Sequence, residues 1–263
     1  MPRHLAGLFK APMIRWILAF IFLSTAGCVW LRLLELKYQL ADFDENVRVE
    51  VKNQHFILNL KKPVVLSEDF VYLSKLRPSR IESLPDGGYR WYLDFRFDPV
   101  KSPDQKKKLV SFCMTYTKDN KLAAFDFSPL FLQMAPAAFL EASIRSLGAG
   151  KVDQDKRQLK VDPQDLPKLT ASLPQLSAVA SVLGPPTEET MEEGQRVLIY
   201  RFKADALIVD KDYMDRKEAE AALYFDPEKT ELVRLKGRFA GLRLSIDYKK
   251  LQQEAGGGAP SPP

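Results

Sequence analysis

Apolar and polar residues alternate along much of this 263-residue chain with the period of two that is typical of strands buried on one face. In the clearest example, Trp91, Leu93, Phe95 and Phe97 alternate with polar or smaller residues. The sequence predicts strands at Val47–Val51, His55–Leu60, Val64–Leu66, Arg90–Phe97, Leu109–Thr117, Leu122–Phe127, Arg196–Phe202, Glu218–Phe225, Glu231–Phe239 and Arg243–Tyr248.

Helical spacing occurs in three other places. An amphipathic helix of about three turns is predicted near the N-terminus. Its apolar stripe is Leu33, Leu36, Leu40 and Phe43, and its polar face is Arg32, Glu35, Gln39 and Asp42. A second helix is predicted at 136–147, capped by Gly148. Leu166–Leu183 is predicted to be helical in two pieces, with Ser172 as the N-cap of the second.

Together these elements predict an α+β fold with two antiparallel-sheet modules, each with packing helices. The predicted organisation is a signal peptide at 1–27, a lipidated N-terminus and amphipathic helix at 28–44, a β-rich module with a C-terminal helix at 45–150, a helix-pair and antiparallel-sheet module at 151–250, and a disordered tail at 251–263. Gly88–Phe97 also resembles Gly194–Phe202, which either a duplicated three-stranded unit or chance would explain.

The N-terminus has the layout of a secretory signal. Residues 1–15 are basic and acid-free, Trp16–Leu23 is apolar, and Ser24–Gly27 is made of small residues. Cys28 follows directly, and this arrangement resembles the signal of bacterial lipoproteins. The resemblance implies cleavage between Gly27 and Cys28, a diacylglycerol on the Cys28 thiol and an acyl chain on its new amine.

The resemblance also implies a cell-envelope location facing the periplasm, with the outer membrane favoured because Val29 rather than Asp follows the cysteine. An uncleaved inner-membrane signal anchor is the alternative, because the run from Trp16 to Leu31 contains 16 uncharged residues. A helix that crosses a bilayer needs about 17–25 residues. In either case the predicted partner is a membrane, and the folded part lies outside the cytoplasm.

Composition and charge narrow the function classes. A 46% apolar content with 16 Phe excludes disordered, collagen-like and polytopic membrane proteins. The formal net charge of +5 falls once residues 1–27 are set aside, because they hold Arg3, Lys10 and Arg15 and no acid. The remainder has nearly equal numbers of basic and acidic residues, so no nucleic-acid partner is predicted.

No catalytic residue, metal site or cofactor is predicted. The chain has no nucleophile-elbow, P-loop, dinucleotide-binding or zinc-protease motif. Beyond the signal, its only histidine is His55, interpreted as an ordinary strand residue. If Cys28 is lipidated, the only thiol left is Cys113, interpreted as a buried small hydrophobe. The acidic residues between Glu188 and Glu193 are interpreted as a solvated loop. A hydrolase with two converging carboxylates stays open.

A second resemblance lies in the C-terminal module. There, Leu183-Gly184-Pro185-Pro186 is followed by a strand containing Tyr200-Arg201. The pattern, over residues 165–248, resembles the small outer-membrane lipoproteins of the β-barrel assembly machine, which share their fold with β-lactamase inhibitor proteins. Gly184, Pro186 and Tyr200 are the predicted fold-motif residues: Gly184 permits a left-handed helix cap and Pro186 prevents the helix from restarting.

Three functions follow as hypotheses. The first, implied by the second resemblance, is a non-catalytic envelope lipoprotein that docks other envelope proteins. The second is a periplasmic carrier or sensor that holds an apolar ligand such as lipid between a curved sheet and the segment Phe131–Leu147. The third is the unrecognised hydrolase. A carrier predicts a ligand cavity, a docking module predicts a filled core with an exposed apolar patch, and a hydrolase predicts carboxylates in a cleft.

Overall fold

A computed structural model describes residues 29–97, 108–153, 158–161, 167–205, 209 and 211–252. The helices are α1 (residues 29–41), α2 (Phe43–Asn46), α3 (Ser67–Ser74), α4 (Pro129–Leu132), α5 (Ala137–Ser146), α6 (Leu176–Leu183) and α7 (Tyr248–Leu251), with a 3-10 helix at Lys211–Lys217. The strands are β1 (Val47–Lys52), β2 (His55–Leu60), β3 (Arg80–Ser83), β4 (Tyr89–Phe97), β5 (Lys108–Tyr116), β6 (Leu122–Phe127), β7 (Lys151–Asp153), β8 (Gln158–Lys160), β9 (Glu188–Glu192), β10 (Gln195–Ala204), β11 (Glu218–Phe225), β12 (Leu232–Phe239) and β13 (Leu242–Asp247).

The predicted α+β class is confirmed, but the strands of both predicted modules belong to one sheet. Eleven antiparallel strands run in the order β1-β2-β6-β5-β4-β10-β11-β12-β13, with β3 added beside β4 and β9 beside β10. The two halves join where β4 pairs with β10, and Phe97 lies opposite Phe202 there. Strands β7 and β8 form a separate hairpin. The sequence did not predict this junction because it is a pairing between residues more than 100 positions apart.

The sheet is symmetric about the junction of β4 and β10. The order helix, hairpin and two further strands occurs once as α3-β3-β4-β5-β6 and again as α6-β9-β10-β11-β12. Both copies also have a β-bulge at the end of their third strand, at Thr115/Tyr116 in the first and at Tyr224/Phe225 in the second. The repeated unit therefore has four strands and a helix, one strand and one helix more than the sequence similarity indicated.

Three local predictions are wrong. Val64–Leu66 is not a strand; only Leu66 forms an isolated bridge, to Lys121. Residues 167–175 are not helical, and α6 begins at Leu176 with Gln175 rather than Ser172 as its N-cap. The predicted acidic loop is strand β9, in which Glu188–Glu192 pairs with β10. Its glutamates are stabilised there by cross-strand arginines, such as Arg196 Nε at 2.7 Å from Glu189.

Helix α1 packs through its predicted apolar stripe, but its polar face is not all exposed. Leu36, Leu40 and Phe43 contact the core. Gln39, expected on the solvent face, is only 4% exposed. Arg32 donates from Nε at 2.6 Å to the carboxylate of the fully buried Asp69. Arg32, assigned to the solvent face, therefore holds α1 against α3.

Gly148 has a different role from the predicted helix cap, because Leu147 is the C-cap of α5. A Cβ atom placed on Gly148 would lie 2.4 Å from the backbone nitrogen of Ala41. We expect Gly148→Ala to lower the free energy of unfolding by about 1–3 kcal/mol, because this overpacking would push α5 and α1 apart. Urea denaturation of the two proteins measures this difference, and equal stabilities would contradict the close approach.

Candidate ligand-binding site

The sheet is strongly curled, and the curl creates the candidate site. Phe112 on β5 and Phe239 on β12 have ring centroids 5.6 Å apart, although three strands lie between β5 and β12. Neighbouring strands are about 4.8 Å apart, so in a flat sheet these two strands would be about 19 Å apart. The difference shows that the sheet bends into a trough and brings side chains from distant strands together.

Phenylalanine rings line the inside of this trough. The contacting rings form a continuous surface, here called the aromatic face: Phe56, Phe95, Phe97, Phe112, Phe125, Phe127, Phe202 and Phe239. It extends over β2, β6, β5, β4, β10 and β12. Strand alternation places these rings on one side of the sheet and sends polar residues to the other side. The result is an apolar surface much longer than any one side chain.

Residues 128–146, here called the cover segment, lie against the aromatic face. Its helix α4 inserts Phe131, whose ring centroid is 5.1 Å from that of Phe112 and 5.8 Å from that of Phe239. Phe131 is 1% exposed. In α5, Phe139 packs edge-on against Tyr248 at 5.0 Å. Side chains of the cover segment therefore occupy the space over the aromatic face, where the carrier hypothesis places a ligand.

Hydrogen bonds hold the cover segment at separate points. At its start, the Ser111 backbone N–H donates to Ser128 Oγ at 2.9 Å. In its middle, Tyr248 Oη donates to the Met134 carbonyl at 2.5 Å. Burial raises the pKa of the Tyr248 hydroxyl well above its ordinary value, so it stays a neutral donor at physiological pH. At its end, Arg145 Nη2 contacts the Asp44 carboxylate at 2.7 Å.

The predicted fold-motif residues lie in the other half of the sheet. Gly184 ends α6 with a φ of +78° and a ψ of −166°, a glycine-favouring conformation that differs from the predicted left-handed helix cap. Tyr200 on β10 donates its hydroxyl to the Gly184 carbonyl at 3.1 Å, and burial raises the pKa of Tyr200 to about 12. Pro186 lies half-buried between α6 and β9. These contacts join a helix to the sheet, while the family role implied by the resemblance stays a prediction.

The opposite face of the sheet carries a concavity of about 460 Å³, lined by both polar and apolar groups. Its floor is low because β5 and β6 place small side chains there, including Ser111, Thr115 and Ala124. Longer side chains, among them Arg90 and Tyr92, form its sides. This concavity lies on the opposite side of the sheet from the aromatic face, where the carrier hypothesis places a ligand.

His55 and Cys113 both line this outer concavity, but their arrangement does not activate a nucleophile. His55 Nδ1 is 2.8 Å from the Asp126 carboxylate, and Cys113 is the cross-strand neighbour of Asp126. The carboxylate, not the imidazole, is therefore next to the thiol in the sheet, whereas a nucleophilic cysteine needs the imidazole as its base. Burial also raises the pKa of Cys113 to about 11, so the thiol is protonated at neutral pH. Cys113 is thus half-buried on the outer face of the sheet, not the fully buried small hydrophobe that the sequence predicted.

The predicted lipidation and cleavage residues, Cys28 and Gly27, lie outside the described residues. In the described part of the chain, no helix is long and apolar enough to cross a membrane. The same residues contain no group of three or more His, Cys, Asp or Glu side chains placed to hold a metal ion.

The sequence pointed to part of the candidate site. It indicated a curved sheet facing Phe131–Leu147, but not Phe239 or Tyr248, which come from the far end of the chain. Alternation identifies which side of a strand is buried. It does not show which distant strands meet inside a curl.

Comparison with known proteins gives little further information. No protein-family model matches the chain, and no curated protein matches it. Among solved structures, a LolA superfamily protein from Nitrosomonas europaea aligns with 68% of this chain and 75% of its own, at 8% identity and a TM-score of 0.14. A similarity at this level does not establish a shared fold.

Proposed function

We propose that this protein is a non-catalytic carrier or sensor of an acyl chain, which it binds between the aromatic face and the cover segment. The observation that carries the proposal is the insertion of Phe131 into an apolar trough formed by strands from both halves of the chain. Because only a short segment covers the trough, an apolar ligand can enter it by displacing side chains of that segment. A core closed by a second sheet has no such route of entry. In the ligand-free protein, Phe131 takes the place of the ligand.

The energies favour such an exchange. Removing a buried phenylalanine from its apolar surroundings costs about 1.5–3 kcal/mol, and each buried methylene of an acyl chain contributes about 0.8 kcal/mol. Four methylenes therefore offset the displacement of Phe131, and the remaining methylenes supply net affinity. The contacts that hold the cover segment, at Ser128, Met134 and Arg145, leave the Phe131 side chain itself held only by apolar contacts.

The proposal includes a place in the cell. The signal-like N-terminus with Cys28 supports a lipoprotein of the bacterial envelope that faces the periplasm, where acyl chains need shielding from water. An inner-membrane signal anchor is the competing arrangement. The docking of other envelope proteins, the first hypothesis from the sequence, stays a prediction. The exposed apolar side chains, such as Leu31, Val51 and Ile81, lie on different elements.

The test is displacement of a fluorescent fatty acid, cis-parinaric acid, by saturated fatty acids of increasing length. If about ten methylenes are buried and Phe131 is displaced, palmitate should bind at one saturable site with a Kd of about 20–200 µM. Each methylene added below the length of the trough should tighten binding about fourfold. Thr115→Trp, which fills the outer concavity, serves as a control that should leave binding unchanged. Non-saturable binding, or loss of binding in that control, would contradict the proposed site.

A further inference from the structure

Strand β13 is an open edge of the large sheet. Among the described residues it pairs with β12 alone. Leu244 and Ile246 point to the inside of the trough, because their cross-strand partners Gly237 and Leu235 belong to the face that carries Phe239. Arg243, Ser245 and Asp247 point to the outside by strand alternation. Edges of this kind pair readily with another strand unless charges, bulges or prolines block them.

Among the described residues, Arg243 has no carboxylate partner. Its cross-strand neighbour on β12 is Arg238, a like charge. Arg238 has Asp215 at 3.8 Å, but no carboxylate in the described part of the chain lies within 4 Å of Arg243. An acid beside Arg243 on its open side would relieve this repulsion.

We propose that two copies of the protein associate through β13, forming an antiparallel pair centred on Ser245 and joining two sheets into one. In this register, Arg243 of one copy lies opposite Asp247 of the other, and Leu244 lies opposite Ile246. Asp247 has Lys250 Nζ of its own chain at 3.6 Å, so the pairing supplies the missing partner of Arg243 rather than of Asp247. A two-fold axis perpendicular to the sheet produces each contact twice and keeps both troughs on the same side. The strand is thus complementary to itself in both charge and polarity.

The second free edge, β1, is a poorer candidate. Arg48 and Glu50 on that strand already form an ion pair at 2.7 Å, so self-pairing supplies no missing charge. Centring the pair on Val49 would place Arg48 opposite Glu50 of the other copy, which only exchanges one Arg–Glu pair for another. Strand β1 therefore provides the natural comparison edge in an experiment.

A short edge-to-edge pair buries less than the roughly 1,200 Å² of a stable interface. We therefore expect a weak association, best detected while the full chain is in its membrane. The test is disulfide cross-linking of Ser245→Cys in membranes from cells that express the full chain, with Cys113→Ser as the common background. Two cysteines at this position would face each other across the two-fold axis, within the Cα separation that a disulfide requires.

Comparisons with other variants test whether cross-linking reports the proposed pairing of β13. Lys236→Cys, on the neighbouring strand, should not cross-link because strand spacing places its two copies about 14 Å apart. Adding Arg243→Asp to Ser245→Cys should reduce the cross-linked fraction at least about fivefold, because it places two acids opposite each other twice. The same change of charge at Arg48→Asp, on β1, should leave the cross-linked fraction unchanged. The proposal is overturned if Ser245→Cys cross-links no better than Lys236→Cys, if Val49→Cys on β1 cross-links instead, or if Arg243→Asp changes nothing.

Discussion

Replacing Phe131 with alanine is expected to destabilise the protein and, at the same time, to tighten its binding of fatty acid. The loss of a fully buried phenylalanine that contacts Phe112, Phe127 and Phe239 should cost about 3–5 kcal/mol of unfolding free energy. An acyl chain no longer has to displace that ring. Its affinity should therefore rise by about tenfold to a hundredfold, the equivalent of 1.5–3 kcal/mol.

The matched control is Phe97→Ala. Phe97 is also 1% exposed and belongs to the aromatic face, but it lies on the sheet and contacts Tyr200 and Phe202. Its removal should cost a similar free energy without the gain in affinity. The measurements are thermal unfolding with and without palmitate and displacement of cis-parinaric acid. If both variants lose stability and neither gains affinity, Phe131 is an ordinary core residue and the carrier proposal fails.

The loss of stability and the gain in affinity expected for Phe131→Ala both depend on the curl of the sheet, which sequence patterns represent only in part. Strand periodicity is local, so β2 and β12 were predicted to within one residue at each end. The curl that places Phe239 against Phe112 results from twist accumulated over several strands, and no local pattern encodes it. Likewise, Tyr248 hydrogen-bonds Met134 across 114 positions, and neither residue stands out in the sequence.

The elements that sequence analysis missed share a physical cause. Strand β9 is made mostly of acidic residues, and it is a strand because Arg196 and Arg201 on β10 supply opposite charges. Helix α3 has only a short apolar stripe, and its N-terminus is fixed by Asp69, which accepts from the Leu66 backbone N–H at 2.8 Å. In both cases the stabilising partner is a polar contact. Analysis based on apolar periodicity detects only the contribution of hydrophobic burial.

Replacing Cys28 with serine should abolish the lipid-anchored form if the chain is a lipoprotein. An anchor with two chains of sixteen carbons contributes more than about 20 kcal/mol of burial, at about 0.8 kcal/mol per CH₂, so the lipidated form should be found entirely in the membrane. Intact mass of the membrane fraction should show a mature form beginning at Cys28 and heavier by acyl chains, and this form should be absent from the variant. Cys113→Ser should leave it unchanged.

The position of Cys28 next to the folded body connects the lipidation result with the carrier proposal. Val29 is already 7% exposed and helical, so the folded body begins one residue after the proposed anchor and no long tether separates the two. A lipidated Cys28 would therefore hold α1, and with it the curled sheet, close to the bilayer from which an acyl chain would enter. An unprocessed mass that differs only by the substitution would instead establish a signal anchor, whose membrane-spanning run would continue into α1. In that case the proposed attachment through Cys28 is wrong, and the fatty-acid measurements decide the carrier function independently.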